Sequence, residues 1–240
     1  MRITAGEMHF KTLNDIVKES LDDEVVIDNC IGQRYIASGR ENGTIIINGT
    51  PGNALGAYLD GSVVVVNGNA QDATGDTMNE GEIIIYGSSG DATGYAMRGG
   101  KIFVRDNAGY RAGIHMKAYK EKLPVLVIGG CAGSFLGEYQ AGGIIVVLGL
   151  GSDKKTPIGD FCGTGMHGGK IYIRCEELPA DLPPQVVARE CTDDDMAEID
   201  SHILEYCDKF SVSKLEIFKQ KFYILIPNTK NPYKQLYTHN

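Results

Sequence analysis

Gly163-Thr164-Gly165-Met166-His167-Gly168 has the G-x-G-x-x-G spacing that, at a strand-to-helix junction, would cradle the pyrophosphate of a dinucleotide. The context is wrong for that chemistry, because the apolar run Ile171-Tyr172-Ile173 follows at once and puts a strand where a helix N-terminus is needed. Asp72 and Asp91 occupy equivalent places in neighbouring repeats and invite a carboxylate-pair or metal reading. Asx side chains also bond local backbone in turns, which is the simpler account of both. His115 and His167 follow turn glycines and could face solvent or a partner, whereas His9, His202 and His239 are scattered with no H-E-x-x-H pair. Cys30, Cys131, Cys162, Cys175, Cys191 and Cys207 lack any C-x2-C spacing, so they read as buried free thiols and not as zinc or iron–sulfur ligands. With no P-loop and no G-x-S-x-G elbow, the sequence assigns this chain no catalytic, cofactor-binding or metal-ligating residue.

Composition narrows the class. Hydrophobic residues at 42% and charged residues at 22% are globular values and argue against disorder. A formal charge of -8 and a pI near 5.1 oppose binding to a phosphate backbone, so nucleic acid is not an expected partner. The opening Met1-Arg2-Ile3-Thr4 lacks the pattern of a secretory signal, and no apolar run reaches the roughly 18 residues of a membrane span. The expectation is a cytoplasmic protein with no membrane partner, in which Asn42-Gly43-Thr44 and Asn48-Gly49-Thr50 are tight turns and not glycosylation acceptors.

Glycine supplies 31 of 240 residues, well above the usual share of about 7%. Much of it is periodic. Gly56, Gly75, Gly94 and Gly113 are 19 residues apart, and the series continues at Gly137 and Gly163 after insertions around Lys117–Leu123 and Ser152–Pro157. A second column precedes it by four residues at Gly52, Gly90, Gly109, Gly133 and Gly159, with Gln71 as the exception. Between turns lie seven short apolar runs, including Ile45-Ile46-Ile47, Val63-Val64-Val65-Val66 and Ile144-Ile145-Val146-Val147, which are too short for helices and read as strands. Glycine at a fixed phase implies a backbone that turns with positive φ, or approaches another backbone closely, at the same corner of each repeat.

The expected fold is therefore an all-β core, a right-handed single-stranded parallel β-helix of about seven coils with three short strands per coil, stacked to roughly 34 Å. Short helices are expected to cap both ends: one opening at Thr12 and Asp15 with Leu13, Ile16, Val17 and Leu21 on one face, and one capped by Thr192-Asp193-Asp194-Asp195 with Met196, Ile199, Ile203 and Tyr206 in a stripe. Three segments follow: 1–27 as a cap helix, 28–175 as the glycine-repeat domain, and 176–240 as a linker, helix and tail, the tail including Asn231-Pro232-Tyr233-Lys234. Open strand edges allow a homo-oligomer.

Gly49-Thr50-Pro51-Gly52-Asn53-Ala54-Leu55-Gly56-Ala57-Tyr58-Leu59, Gly94-Tyr95-Ala96-Met97-Arg98-Gly99-Gly100-Lys101-Ile102-Phe103-Val104-Arg105, Gly137-Glu138-Tyr139-Gln140-Ala141-Gly142-Gly143 and Gly165-Met166-His167-Gly168-Gly169 resemble the C-terminal glycine-repeat (GXGXG) domain of the glutamate synthase large subunit. The similarity runs in order from about Asp28 to Arg174. It implies a domain that is not catalytic alone and a structural subunit of a glutamate-synthase-like oxidoreductase in glutamate biosynthesis. FMN and iron–sulfur groups would then belong to partner chains, namely a glutaminase-type amidotransferase and an FMN-containing synthase. The same repeat in formylmethanofuran dehydrogenase implies the alternative, a subunit-C-like component of that type of complex. An independent enzyme using Asp72, Asp91 or a histidine as acid or base is the third reading.

Overall fold

The computed structural model describes residues 1–153 and 156–228. Lys154 and Lys155 of the second insertion, the tail segment Asn231-Pro232-Tyr233-Lys234, and His239 lie outside them. The chain runs β1 (Arg2–Thr4), α1 (Phe10–Glu19), β2 (Glu24–Ile31), β3 (Thr44–Thr50), β4 (Asp60–Asn67), β5 (Glu80–Ile85), β6 (Lys101–Val104), β7 (Val125–Ile128), β8 (Ala141–Val147), β9 (Gly168–Arg174), β10 (Val186–Glu190), α2 (Asp193–Phe210), α3 (Lys214–Ile217) and β11 (Phe222–Pro227). The expected apolar runs all lie in or against these strands, because branched apolar side chains suit a pleated surface buried on at least one face.

The strand arrangement corrects the expected right-handed β-helix. The eleven strands form a single mixed sheet in the order β1-β2-β3-β4-β5-β6-β7-β8-β9-β11-β10, with β1 to β9 parallel and β10 and β11 antiparallel. Each repeat contributes one strand to it, not three. The physical reason lies in the turns, where positive-φ residues recur in every repeat and cannot continue an extended strand. Only isolated parallel bridges form there, as at Ala70, Ser89, Ala108, Ala132 and Ile158.

The marker glycines nevertheless stack. Each donates its N–H to the preceding repeat, Gly75 to Leu55 O and Gly113 to Thr93 O at 2.8 Å, Gly94 to Thr74 O at 2.7 Å. A side chain is disfavoured by backbone conformation at all of these positions and by contact as well at all but Gly94, where the nearest atom is 3.7 Å from an added Cβ. Their φ values lie between 63° and 73°, and a Cβ on Gly75 or Gly113 would stand 2.3 or 2.4 Å from the Cδ1 of Ile102 or Ile145. The second column is closed by backbone: a Cβ on Gly90 or Gly109 would meet the carboxylate and N–H of Asp72 or Asp91 within 2.8 Å. Ala37, at φ 61°, fills the marker position of the first repeat, which the glycine count alone does not reveal. In the same register its facing residue is Val64, which lacks the Cδ1 of the isoleucines that follow at Ile83 and Ile102.

Two cores form, one on each face of the sheet. The inner one joins the row Val64, Ile83, Ile102, Leu126, Ile145 and Ile171 to Leu59, Met78, Met97, Met116 and Met166 from the turns. Helix α1 closes it with Leu13 and Val17, but its N-cap is His9, whose Nδ1 accepts from Lys11 N–H at 3.4 Å, so Thr12 and Asp15 do not form the expected start. The C-terminal helix also departs from expectation. Helix α2 lies on the outer face, with Ile199, Ile203 and Tyr206 against Phe103, Val127, Val146 and Tyr172, and Gly129 leaves room for the Tyr206 hydroxyl. Its capping box is formed as expected, Thr192 accepting from Asp195 N–H and Asp195 accepting from Thr192 N–H. The first insertion folds back so that Lys122 Nζ reaches Glu80 at 2.7 Å and Asp60 at 3.4 Å.

Gly113→Ala should lower stability by about 3 kcal/mol, through left-handed strain together with overpacking against Ile145. Gly39→Ala, at φ 66° with nothing within 4 Å of the added atom, isolates the strain and should cost about 1 kcal/mol. Equal losses in urea titrations would show that Ile145 does not close the site. Val64→Ile should cost about 1–2 kcal/mol, and Ala37→Gly in that background should recover at least half. Additivity in the double-mutant cycle would refute the contact.

Candidate functional site

The turns build a surface of two left-handed columns, a few residues apart in each repeat. Tyr35, Ala54, Ala73, Ala92, Arg111, Phe135 and Phe161 form one, with φ between 54° and 62°; Tyr58, Thr77, Ala96, His115 and Tyr139 form the other, with φ between 50° and 58°. Non-glycine residues hold this conformation because the N–H of each column member before Phe161 donates to a carbonyl of the next repeat. Ala54 donates to Asp72 O at 2.9 Å, Tyr58 to Asp76 O at 2.8 Å, and His115 to Glu138 O at 2.9 Å.

Asp72 and Asp91 belong to this bonding. Asp72 Oδ1 accepts from Asp91 N–H at 2.9 Å and Asp91 Oδ1 accepts from Tyr110 N–H at 2.8 Å, so each carboxylate satisfies a backbone donor of the following repeat and not one of its own turn. Ser134 does the same for Asp160. The Gly163–Gly168 segment is one more turn: Gly168 opens β9, and a Cβ on Gly165 would enter the Tyr139 ring at 2.5 Å. These glycines accommodate the neighbouring repeat and are not placed to cradle a phosphate at a helix N-terminus.

The histidines do not converge. His115 stacks on Tyr139 at 5.1 Å with Tyr95 edge-on at 5.9 Å, His167 Nδ1 lies 3.2 Å from Gly165 O, and His9 caps α1. Among the described residues no group of three or more His, Cys, Asp or Glu is placed to hold a metal ion, and no helix is long and apolar enough to cross a membrane. All six cysteines are unpaired. Burial pushes the thiols of Cys30 and Cys175 up to about 11 and those of Cys162 and Cys191 up to about 12, so they stay protonated and non-nucleophilic near neutral pH.

Two features were missed in the sequence. Tyr35, Tyr58, Tyr95, Tyr110, Tyr139 and Phe161 are all exposed on the turn edge, and their signal was an aromatic residue within three positions of Ala37, Gly56, Gly94, Gly113, Gly137 or Gly163. The second is a polar cluster under α2. There Glu198 accepts from the Tyr172 hydroxyl and from Lys170 Nζ, while Glu205 pairs with Lys101 at 2.6 Å. His202 lies beside them, its Nδ1 buried, without a hydrogen bond and 4.0 Å from Glu205. Burial first, then Lys101, hold the His202 pKa below its ordinary value, against a smaller opposing pull from Glu205 and Glu198. A cavity of about 640 Å³ also lies between α1 and the first turn, where Arg40 donates to the carbonyls of Val17, Asn42 and Asp22 and ties the end of the helix to the sheet.

Fold and surface together define a stacked-repeat protein whose successive units are locked by glycine-lined turns and whose outer edge presents aromatic rings. The chain belongs to the GXGXG-motif family, the family of the glutamate synthase C-terminal domain, whose model matches residues 19–228. It is 46% identical over 249 aligned residues to an uncharacterized protein of Methanocaldococcus jannaschii, covering 98% of this chain and 95% of that one. In structure it is similar to a chain of the formyltransferase/hydrolase complex (FhcABCD) of Methylorubrum extorquens, solved in complex with methylofuran. That match has a TM-score of 0.62 at 20% identity and covers 80% of this chain and 71% of the other.

Because the unfolded chain binds a proton at His202 more readily than the folded one, stability should be unaffected well above pH 6.5. It should then fall as pH drops below that value towards the lowered folded pKa. Urea unfolding of wild type and His202→Gln at pH 8 and pH 5 should show the variant losing less over this interval; parallel losses would mean that His202 is not held neutral.

Proposed function

We propose that this chain is a cytoplasmic, non-catalytic subunit of a multi-subunit enzyme complex of the formyltransferase/hydrolase type, the formylmethanofuran dehydrogenase-like assembly. The observation that carries the reading is the structural likeness over four fifths of the chain to a chain of such a complex. The build of the surface supports it. Glycines and carboxylates that could have served chemistry hold one repeat to the next, and the exposed residues of the turn edge include tyrosine, phenylalanine and arginine, types enriched at protein interfaces. A rigid ladder of this kind presents a partner with fixed side chains, which lowers the ordering cost of association.

A glutamate-synthase-like assembly is the second reading, favoured by family membership. It would place the glutaminase-type amidotransferase, the FMN and the iron–sulfur groups on partner chains. The two readings differ in which chains accompany this one.

Affinity purification of the full chain from its native host, followed by size-exclusion chromatography and mass spectrometry, separates them. The expected result is a stoichiometric assembly well above 26.0 kDa that contains formyltransferase- or hydrolase-type chains. Amidotransferase and flavin-containing chains in their place would select the second reading, and recovery of this chain only as a particle of itself would sink both.

A further inference from the structure

Guanidinium groups of this chain lie on rings in three places: one on α1, one on the first insertion and one, Phe135, on the turn edge. Arg34 lies over Phe10 at 4.8 Å, Arg98 over Tyr119 at 4.2 Å and Arg111 over Phe135 at 4.8 Å, each guanidinium being supplied by this chain. Between these places the pattern is interrupted. Among the described residues no cation lies over the rings of Tyr58 and Tyr95, and His115 is placed against the edge of Tyr95. Tyr58 is 56% exposed and held at φ 58°, a conformation that disfavours a bulky side chain, while its ring adds little to the core.

Charge in the same repeats is one-sided. From Asn42 to Met97 the sequence has no Lys or Arg, while Asp60, Asp72, Asp76, Glu80, Glu82 and Asp91 fall within it. Cations from elsewhere in the chain reach three of these acids: Lys122 pairs with Asp60 and Glu80, and Lys209 with Glu82 at 3.0 Å. Among the described residues the other three, Asp72, Asp76 and Asp91, have no cation partner, and all lie on the turn edge beside Tyr58 and Tyr95. Tyr58 N–H donates to Asp76 O, and Thr77 N–H to Tyr95 O, so Tyr58, Asp76 and Tyr95 are consecutive along the stack. Each of the three carboxylates uses one oxygen within the chain, Asp72 and Asp91 for backbone N–H groups and Asp76 for the Thr77 hydroxyl.

We infer that the stretch from Tyr58 to Tyr95, with Asp72, Asp76 and Asp91, is the docking surface for an arginine-rich segment of a partner protein chain. Guanidinium groups would lie on the two rings as Arg98 and Arg111 lie on theirs, with their N–H groups donating to the outer carboxylate oxygens. The inference goes beyond the proposed function by fixing the partner's chemistry and where it binds, and it holds whichever enzyme complex the chain serves.

Fluorescence anisotropy of fluorescein-labelled nona-arginine against the full chain, at about 0.15 M salt to suppress long-range attraction, tests it. Wild type should bind, Tyr58→Gly/Tyr95→Ala should bind about five-fold more weakly, and Tyr58→Phe/Tyr95→Phe should stay within about two-fold of wild type. Asp76→Asn, which keeps the acceptor oxygen for Thr77, should weaken binding about two-fold and serves if the double variant does not fold. Absence of binding by wild type overturns the inference. So does unchanged affinity in the variants, which would trace the attraction to net charge, or equal binding of nona-lysine, which cannot stack as a plane. Because the probe is a defined peptide, failure here leaves the identity of the native assembly to be decided by the purification experiment alone.

Discussion

Parallel strands stack about 4.8 Å apart, and in this protein the turns are held to the same spacing as the strands they connect. That constraint places the backbone of one repeat where the side chains of the next would begin. At Gly90 and Gly109 the space for a Cβ is already occupied by Asp72 and Asp91; at Gly75 and Gly113 it is occupied by the tips of Ile102 and Ile145. The two glycine columns thus have different causes, contact between backbones in one and contact between turn and core in the other. The alanine at position 37 follows from the second cause, because Val64 is one carbon shorter than the isoleucines it aligns with.

The rest of the molecule adjusts to the stack. Strands β2 to β4 bury alternate residues, as expected of a sheet with one covered face. From β6 to β9 the strands are buried on both faces because α2 covers the outer side, and the row Ile46, Val65, Ile84, Phe103, Val127, Val146, Tyr172 changes accordingly from half-covered to fully enclosed. Arg174 belongs to the same enclosure. Its guanidinium donates to the carbonyls of Ile217, Leu148 and Glu216, so the charge is compensated by three oxygens from two segments and ties α3 to the sheet.

The repeat was legible in the sequence because glycine at positive φ is a local requirement that leaves a periodic mark, as at Gly56, Gly75 and Gly94. The apolar runs marked the strands for the same reason. The number of strands per repeat was not legible, because Ala54, Tyr58, Ala73 and Phe135 carry no local sign that they adopt left-handed backbone; they do so because the next repeat supplies a carbonyl to each N–H. The position of α2 on a face and not at an end was written more faintly, in the aromatic Phe103 and Tyr172 that take over from Ile46 and Val65 along one row. Asp72 and Asp91 do accept from backbone N–H groups, but the donors belong to the following repeat and not, as the Asx reading expected, to their own turns.

Regular stacking also governs what the outer edge can do. Since Tyr58 N–H donates to Asp76 O and Tyr95 O accepts from Thr77 N–H, the rings of Tyr58 and Tyr95 are fixed in spacing by the stack and not by a mobile loop. A surface positioned in this way loses little conformational entropy when something settles on it, and modest contacts at several repeats can therefore add to a useful affinity. Residues that strain the backbone without filling the core are best explained by what they meet outside the chain. On this edge the uncompensated carboxylates stand next to the uncovered rings, so the chemistry missing from both is the same: a flat cation.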